Sequence, residues 1–462
     1  MISALSTIAL LPLASTTTAA TTAESAPGQA RTYVVPAGSP LPSLSDLRTG
    51  AERQLAAAEA TAEPTTPLEV VGPAAAYGTK TTIPGVTPRT SPAPASRSLA
   101  APAAVSYPEP ARTMSLAECK ANMGGTAKLY LKSRFAVCTA LQVTTVWARS
   151  QGQLGTSSYT VYIRGTVPKE SDRTMFFDYD LTDFTSVGTT GAAGLRISLK
   201  GVIPQNWPAA ARPVLSNTLP VTKTQPQMQA SPHYTHTLRY APGQGSGAGA
   251  ADLIAAVYQP EIVTTLPPGW VGPSPVTGKP FMFAPRWDAA SYLRNSTGGG
   301  NPANKGGAAF SMMATLEYSS KAGAPEEAVA RHIKQAFTNA TATKPLNAQK
   351  NVPGDNLNEP LHRLFLDKRR RDRNRAVAVR ECTRYWGANY TDGGKECDEF
   401  PFATTYEGSA ASEFDVHVEK NNFSVLPVPG AQNGAAGNLL SGFYNANRII
   451  DGLEDGFIVK IN

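Results

Sequence analysis

Short runs of β-branched and aromatic residues, bounded by turn residues, recur from Thr113 to about Pro267. In one of these runs, SYTVYIRGTV, the apolar residues Tyr159, Val161 and Ile163 occupy alternate positions. A period of two is typical of a strand in an antiparallel sheet that buries one face. Because several such strands follow one another at short spacing, the sequence predicts a β-rich, sandwich-like domain over residues 113–267.

The C-terminal part has a helical pattern. Pro325 and the two acids that follow it predict a helix start, because proline suits the first turn and acids suit its positive end. Val329, Ile333 and Phe337 then recur every four residues and predict the buried stripe of this helix. His332 lies beside the stripe, on the side that we expect to be nearer to solvent. We interpret it as a structural residue, with proton transfer as the alternative.

The N-terminus has features of an exported protein. The apolar run IALLPLA is followed by small and hydroxyl residues, as in the second half of a secretory signal, although no basic residue precedes it. We therefore expect a leader over residues 1–30 and a secreted protein. Residues 31–112 are rich in Ala, Pro, Thr and Ser and bury too little apolar surface to offset chain entropy, which predicts a disordered tether.

Glycine and proline mark the remaining boundary. The 462 residues include 39 Gly and 38 Pro, many of them in the tether and in residues 268–306, which we interpret as a linker. The predicted fold class is multidomain, with a disordered N-terminus, a β-rich sandwich-like middle domain and an α+β domain over residues 307–462. No stretch has the roughly 18 consecutive apolar residues of a membrane span, which excludes a membrane-embedded fold.

The four cysteines fall into two local pairs, Cys119 with Cys138 and Cys382 with Cys397. An even number in a chain with export features predicts disulfides. Neither pair has the spacing of a zinc or redox motif. Each bond would close a short loop and contribute roughly 3 kcal/mol to stability. Four buried thiols in a cytosolic protein are the alternative.

The net charge of +7 favours an anionic partner such as nucleic acid or a cell-envelope polymer, with a merely soluble basic protein as the alternative. One basic cluster comprises Lys368, Arg369, Arg370, Arg371, Arg373 and Arg375. Cationic side chains neutralise backbone phosphates without reading sequence. Lys368, Arg369, Arg371 and Arg375 are therefore candidate substrate-binding residues, unless the cluster is only a solvated basic face.

Three acids lie in the string CDEFPFATTYEG, namely Asp398, Glu399 and Glu407. Mg²⁺ and Mn²⁺ prefer such oxygen ligands and retain water, and the bound ion polarises a phosphoryl oxygen. Eight residues separate Glu399 from Glu407, about 12 Å along a helix or about 26 Å along a strand. If both hold one ion, the chain must fold back between them or one acid must act through water. An exposed acidic turn is the alternative.

These residues carry a family resemblance. The string CDEFPFATTYEG resembles the signature of the NucA/NucB-type bacterial extracellular deoxyribonucleases. Four further segments agree with that family in order, and they are PEEAVARHIKQAF, LFLDKRRRDRNR, AQNGAAGNLLSGFY and DGFIVKI. The resemblance covers roughly the last 140 residues and none of the β-rich region. The chain departs from it in a single acid before the closing Gly408 and in a longer insertion over residues 380–395.

The resemblance implies a metal-dependent DNA endonuclease with little sequence specificity. It implies Asp398, Glu399 and Glu407 as catalytic and metal-binding residues for Mg²⁺ or Mn²⁺, and Asn433 as a ligand or phosphate contact. His332 is a reserve candidate for proton transfer. Two other functions stay open. One is an envelope-binding or adhesive protein with an inactive nuclease-like domain. The other is a nuclease toxin delivered by its N-terminal part, with an inhibitor protein as a partner.

Overall fold

The computed structural model describes residues 27–48, 50–62, 105–124, 128–150, 152–169, 173–246, 252–293 and 306–462. Its strands are, in chain order, β1 (Gly28–Val35), β2 (Tyr130–Ser133), β3 (Ala136–Arg149), β4 (Gly152–Thr166), β5 (Thr174–Gly188), β6 (Arg196–Trp207), β7 (Pro213–Asn217), β8 (Val221–Thr224), β9 (His233–Tyr240), β10 (Ile254–Thr265), β11 (Trp270–Val271), β12 (Val276–Gly278), β13 (Pro285–Asp288), β14 (Gly307–Phe310), β15 (Ala314–Tyr318), β16 (Leu361–His362), β17 (Lys395–Phe400), β18 (Ser424–Pro429) and β19 (Gly456–Ile461). Its α-helices are α1 (Leu44–Arg48), α2 (Ala51–Ala62), α3 (Leu116–Asn122), α4 (Gln225–Ala230), α5 (Glu327–Thr338), α6 (Lys368–Trp386), α7 (Ala411–Phe414) and α8 (Gly430–Ala446).

Two sheets share one core in the first part of the chain. The larger sheet has the order β11-β1-β3-β4-β5-β9-β7, with β2 paired to β3. The smaller has the order β14-β13-β10-β6-β8, with β12 paired to β10. The alternating residues Tyr159, Val161 and Ile163 of β4 lie in this core, together with Tyr258 and Trp287 of the smaller sheet. The prediction of a sheet-rich middle region is confirmed, and we call these two sheets the sandwich.

The sandwich extends into the predicted tether. Residues 28–35 form β1, which pairs along its length with β3, and α1 and α2 follow it. These elements share a small apolar cluster, which comprises Tyr33, Val35, Leu47, Leu55 and Val146. The prediction of a disordered tether is therefore wrong for residues 31–48 and 50–62, because a few well-spaced apolar side chains suffice to dock an Ala-rich segment on an existing sheet.

The strand β1 begins at Gly28, within the last residues of the predicted leader over residues 1–30, which stays a prediction. Residues 1–26 and 63–104 lie outside the described residues. Residues 105–112 are described and pack on the rest of the protein. Tyr107 contacts Phe443 of α8 edge to face, with ring centroids 5.3 Å apart, and its hydroxyl donates to the Thr315 carbonyl oxygen.

The predicted linker over residues 268–306 is also wrong where the structure describes it. This segment supplies β11, β12 and β13, and Trp287 of β13 is completely buried. The next strand, β14, pairs with β13 and completes the edge of the smaller sheet. The sandwich therefore extends to Phe310 instead of ending at residue 267, because Pro285–Asp288 form a buried strand that pairs with β10 and β14.

The C-terminal part has a three-stranded sheet in the order β15-β19-β16 and a separate hairpin of β17 and β18. Helices α5, α6 and α8 surround the hairpin. The predicted helix is present as α5, and Val329 and Ile333 are buried as expected. His332 is buried too, with 2% of its surface exposed, so its expected position nearer to solvent is wrong. On a helix, residue 332 lies three positions after residue 329 and shares its face.

Both predicted disulfides are present. Cys119–Cys138 joins α3 to β3 in the sandwich. Cys382–Cys397 joins α6 to β17 in the C-terminal part. No helix within the described ranges is both long and apolar enough to cross a membrane.

Buried ion pairs join the sandwich to the C-terminal part. Asp455, just before β19, accepts from Arg134 at 2.8 Å and forms an ion pair with Arg286, whose Nη1 lies 2.7 Å from Oδ2. Arg448 pairs with Asp288 of β13, with Nε 3.0 Å from Oδ2. All these side chains are 5% exposed or less. Since buried charges are costly unless they are paired, this network fixes how the two parts dock.

Candidate active site

A small cavity of about 200 Å³ lies beside the β17–β18 hairpin. Its polar lining includes Arg375, Asp398, Glu399 and Asn433. Its apolar lining consists of Tyr318, Val329, Phe402, Ala436 and Leu440. Three separate elements, β17, α6 and α8, therefore bring charged and polar groups to one concave surface, as is typical of a ligand site.

The strand β17 places its two neighbouring acids on different helices. It pairs with β18 along one edge, from Lys395 to Phe400, and lies against α6 and α8. Side chains alternate along a strand, so Asp398 and Glu399 leave the backbone in opposite directions. Asp398 contacts α5 through His332, whereas Glu399 contacts α6 through Arg375. Both carboxylates still line the cavity at the strand edge.

Asp398 is held by a buried histidine. His332 Nδ1 lies 2.6 Å from Asp398 Oδ2, and His332 Nε2 lies 2.7 Å from Ser424 Oγ. Asp398 is 6% exposed and Ser424 is fully buried. Both ring nitrogens of His332 thus have partners inside the protein, and the ring does not line the cavity.

Glu399 pairs with Arg375, whose Nη1 also donates to the Cys397 carbonyl oxygen at 2.5 Å. Burial raises the pKa of the Glu399 carboxyl to about 7, and the neighbouring Asp398 carboxylate adds to this, although Arg375 lowers it. The cavity therefore brings Asp398 close enough to disfavour the charged form of Glu399, with Arg375 as the facing cation.

Helix α8 contributes one side-chain amide and several small residues to the cavity lining. Asn433, in its first turn, donates from Nδ2 to Glu396 Oε2 at 2.8 Å. Asn433 also lines the cavity, and its amide oxygen is an acceptor with two lone pairs. One helical turn on, Ala436 and Gly437 line the cavity. A Cβ at Gly437 would meet no atom within 4 Å, so this residue borders open space.

The loop after β17 is held by a residue of α6. Asn374 is fully buried and donates to the carbonyl oxygens of Ala403 and Thr405, while its own oxygen accepts from the Ala410 amide. A Cβ at Gly408 would lie 2.3 Å from the Asn374 amide nitrogen. This close approach explains the glycine that closes the motif.

Glu407 lies elsewhere. It accepts from both the backbone and the ring of His362, with Oε2 2.9 Å from the amide nitrogen and Oε1 2.8 Å from Nδ1. It does not line the cavity that contains Asp398 and Glu399. Within the described part of the chain, no three His, Cys, Asp or Glu side chains converge on one point. The structure therefore does not bring the three predicted metal ligands together.

The basic cluster opens α6, where helical geometry separates its members. Arg370 is fully buried and donates to the Tyr406 carbonyl oxygen, so it holds the motif loop in place. Arg373 forms a two-fold pair with Glu413, at 2.6 and 2.7 Å. Neither arginine is positioned at the cavity.

The remaining members include one continuous face. Lys368, Arg371 and Arg375 are three and four residues apart and therefore lie on the same side of α6. Arg375 is at the cavity, and Lys368 pairs with Asp372 one turn away. Arg369 is exposed on another face. Of the predicted substrate-binding residues on α6, Lys368, Arg371 and Arg375 therefore form a face that leads to the cavity, whereas Arg369 lies on a different face.

Residues 362–459 match the family model for Deoxyribonuclease NucA/NucB. The C-terminal domain is of the NucA/NucB type. The match includes β16 to β19, α6 and α8, but neither α5 nor the sandwich. No curated protein and no solved structure matches the chain. The NucA/NucB domain is a deoxyribonuclease domain, with DNA as its substrate.

The cavity of the NucA/NucB domain has the donors that a hard divalent cation needs. Two acidic residues and one asparagine line it, and Mg²⁺ usually takes only one or two carboxylates while it retains waters. Asp398, Glu399 and Asn433 therefore fit such an ion as a partial shell. The sequence predicts these three residues as candidates but gives no signal for Ser424, Glu396 and Asn374 beyond their polar type.

Proposed function

We propose that the NucA/NucB domain is a metal-dependent endonuclease that hydrolyses DNA phosphodiester bonds at the cavity beside β17. The observation that carries this proposal is the meeting of Asp398, Glu399, Asn433 and Arg375 at one concave surface. Acids alone would repel a phosphodiester. An arginine beside them supplies the attraction that lets an anionic substrate approach.

In this mechanism Asp398, Glu399 and the side-chain oxygen of Asn433 would hold Mg²⁺ or Mn²⁺. The ion would polarise a phosphoryl oxygen and lower the pKa of a bound water. Arg375 orients the scissile phosphate through its guanidinium, which is suited to paired contacts with phosphate oxygens. A carboxylate of Asp398 or Glu399 accepts the proton of the attacking water, because both nitrogens of His332 are already engaged.

Substrate recognition rests on the phosphate backbone. The face of α6 that carries Lys368, Arg371 and Arg375 leads to the cavity and can follow a phosphate strand. Contacts of this kind position nucleic acid but do not read its bases. We therefore propose cleavage with little sequence specificity. We also propose that the protein is secreted, which suits its two disulfides.

The test is digestion of linear DNA by the full-length protein with Mg²⁺, with Mn²⁺ and with EDTA. We expect cleavage with either ion and none with EDTA. Asp398→Asn and Glu399→Gln should each lower kcat by at least about 10²-fold, as expected for groups that act on developing charge. Glu413→Gln is the matched control, because Glu413 pairs with Arg373 away from the cavity. Cleavage that survives EDTA, or that survives Asp398→Asn, contradicts the proposal.

A further inference from the structure

We propose that His332 and Ser424 are positioning residues that fix the Asp398 carboxylate for cation binding. This inference rests on the proposed function of the cavity. It concerns a residue before the region matched by the family model, which begins at residue 362. His332 thus has a positioning role here instead of the proton-transfer role that the sequence left open.

The geometry leaves His332 no route to the substrate. Its ring is 2% exposed and is held in α5 between the buried side chains of Val329 and Ile333. Both ring nitrogens are occupied, Nδ1 by Asp398 at 2.6 Å and Nε2 by Ser424 at 2.7 Å. A group that touches neither the cavity nor a solvent path acts on the reaction only through Asp398.

The hydrogen bonds have a defined direction when Asp398 is ionised. A carboxylate only accepts, so His332 Nδ1 donates to Asp398 Oδ2. Nε2 of the neutral ring is then an acceptor, and the Ser424 hydroxyl donates to it. Ser424 thus selects the tautomer that Asp398 needs. The hydrogen bonds from Ser424 through His332 engage Asp398 Oδ2 and hold this carboxylate in one orientation. Asp398 Oδ1 is then the oxygen available to a cation.

The secondary structure holds His332, Asp398 and Ser424 in place. Ser424 opens β18 and is paired in register with Phe400 of β17, two residues beyond Asp398. Phe400 packs edge to face on Phe337 of α5, with ring centroids 5.1 Å apart. Helix α5 and the hairpin are therefore fixed to each other on both sides of the His332–Asp398 contact. Such outer partners of a metal-binding carboxylate typically change metal affinity or activity by about 10–100-fold when removed.

The test measures cation binding as well as cleavage. MnCl₂ is titrated calorimetrically into the full-length protein without DNA, and kcat and KM for DNA are measured separately. We expect His332→Leu to weaken Mn²⁺ binding and lower kcat by about 10–100-fold each. KM for DNA should stay unchanged, because Arg371 and Arg375 are not altered. His332→Asn, whose amide can donate from near the Nδ1 position, should restore much of the Mn²⁺ affinity.

Two further variants keep the test decisive. Ser424→Ala removes only the outer hydrogen bond and should weaken Mn²⁺ binding several-fold, even if His332→Leu does not fold. His233→Asn is the control, because this histidine is on β9 of the sandwich. Unchanged Mn²⁺ affinity in the His332 and Ser424 variants, measured on folded protein, overturns the inference. Failure of the unmodified protein to cut DNA, with Mn²⁺ binding still dependent on His332, overturns the proposed function alone.

Discussion

Hydrogen-bond partners decide the roles of the acids around the cavity. Asp398, Glu399 and Glu407 share one motif, and residue type alone makes them equivalent candidates. The structure separates them, since the first two line the cavity and the third binds His362. The motif can be recognised from the sequence. The different positions of its acids cannot, because they depend on the path of the loop between Glu399 and Glu407.

Glu407 provides a prediction at this scale. Its carboxylate accepts two hydrogen bonds from His362, whose ring is 3% exposed. Glu407→Gln removes an acceptor beside a buried donor and should lower the free energy of unfolding by about 1–3 kcal/mol. Mn²⁺ affinity should not change. Urea denaturation and calorimetric titration measure the two quantities, and a lost Mn²⁺ affinity with unchanged stability would restore Glu407 as a ligand.

Individual elements combine support and chemistry. Helix α6 contributes Arg375 to the cavity, Asn374 and Arg370 to the motif loop, and Cys382 to the disulfide with β17. The sequence shows the cluster as one basic segment. The period of 3.6 residues sends its members to different faces, so only some of its arginines are available to phosphate.

The disulfide between α6 and β17 should affect catalysis as well as stability. Cys397 immediately precedes Asp398, and Cys382 lies on the helix that carries Arg375. Replacing both cysteines by serine should cost roughly 3 kcal/mol and also lower kcat, because the strand and helix that form the cavity lose their covalent link. Replacing Cys119 and Cys138 is the matched control, since that bond lies in the sandwich.

The free energy of unfolding and kcat for DNA cleavage are measured for both double cysteine variants. We expect similar losses of stability but a lower kcat only for the variant in the C-terminal domain. An equal kcat in the two folded variants would show that the hairpin is held in place without the bond.

The sheets of the sandwich contain a buried histidine that predicts a pH dependence. His236 of β9 is 3% exposed and lies 2.7 Å from the Tyr258 hydroxyl. Burial lowers its pKa from 6.5 to about 4. Below pH 6.5 the unfolded chain binds a proton that the folded protein does not. His236 should therefore lower the free energy of unfolding by up to about 3 kcal/mol between pH 6.5 and 4. Glu399, whose pKa burial raises to about 7, acts in the opposite direction over this range, so the His236 contribution is the difference between the unmodified protein and a variant that lacks this ring.

Tryptophan fluorescence during urea denaturation at several pH values measures this effect. His236→Asn keeps a polar partner for Tyr258 but does not titrate, so this variant should lose the destabilisation that protonation of His236 causes at low pH. His233→Asn, at a side chain that is 53% exposed, should retain the full dependence. The same pH dependence in both variants would assign the effect to other groups.

At the scale of the whole molecule, the sandwich and the NucA/NucB domain are docked to each other. The contact extends to the segment just before helix α6. Tyr292 stacks on Phe365, with ring centroids 4.3 Å apart, and the Tyr292 hydroxyl accepts from the Asp451 amide. Asp451 in turn accepts from the amides of Phe365 and Leu366, just before α6. The sequence predicted the order of the parts but placed a linker between them, because docked loops with Gly and Pro have the composition of linkers.

The last prediction concerns this docking. Arg134 and Arg286 of the sandwich both pair with Asp455, which also accepts from the Ile450 amide at 2.9 Å. Burial alone would raise the pKa of Asp455, but the two guanidinium groups hold it below its ordinary value. Asp455→Asn leaves both buried cations without their carboxylate. It should lower the free energy of unfolding by about 3–5 kcal/mol.

Calorimetric unfolding of the full-length protein measures this loss and its consequence. We expect the single transition of the unmodified protein to separate into two in Asp455→Asn, because the parts no longer stabilise each other. Asp183→Asn is the matched control, since Asp183 is 53% exposed in its pair with Lys120 and should contribute less than about 1 kcal/mol. A single transition at unchanged temperature in Asp455→Asn would mean that apolar contacts alone hold the sandwich to the NucA/NucB domain. The sandwich would then support the basic helix without this ion network.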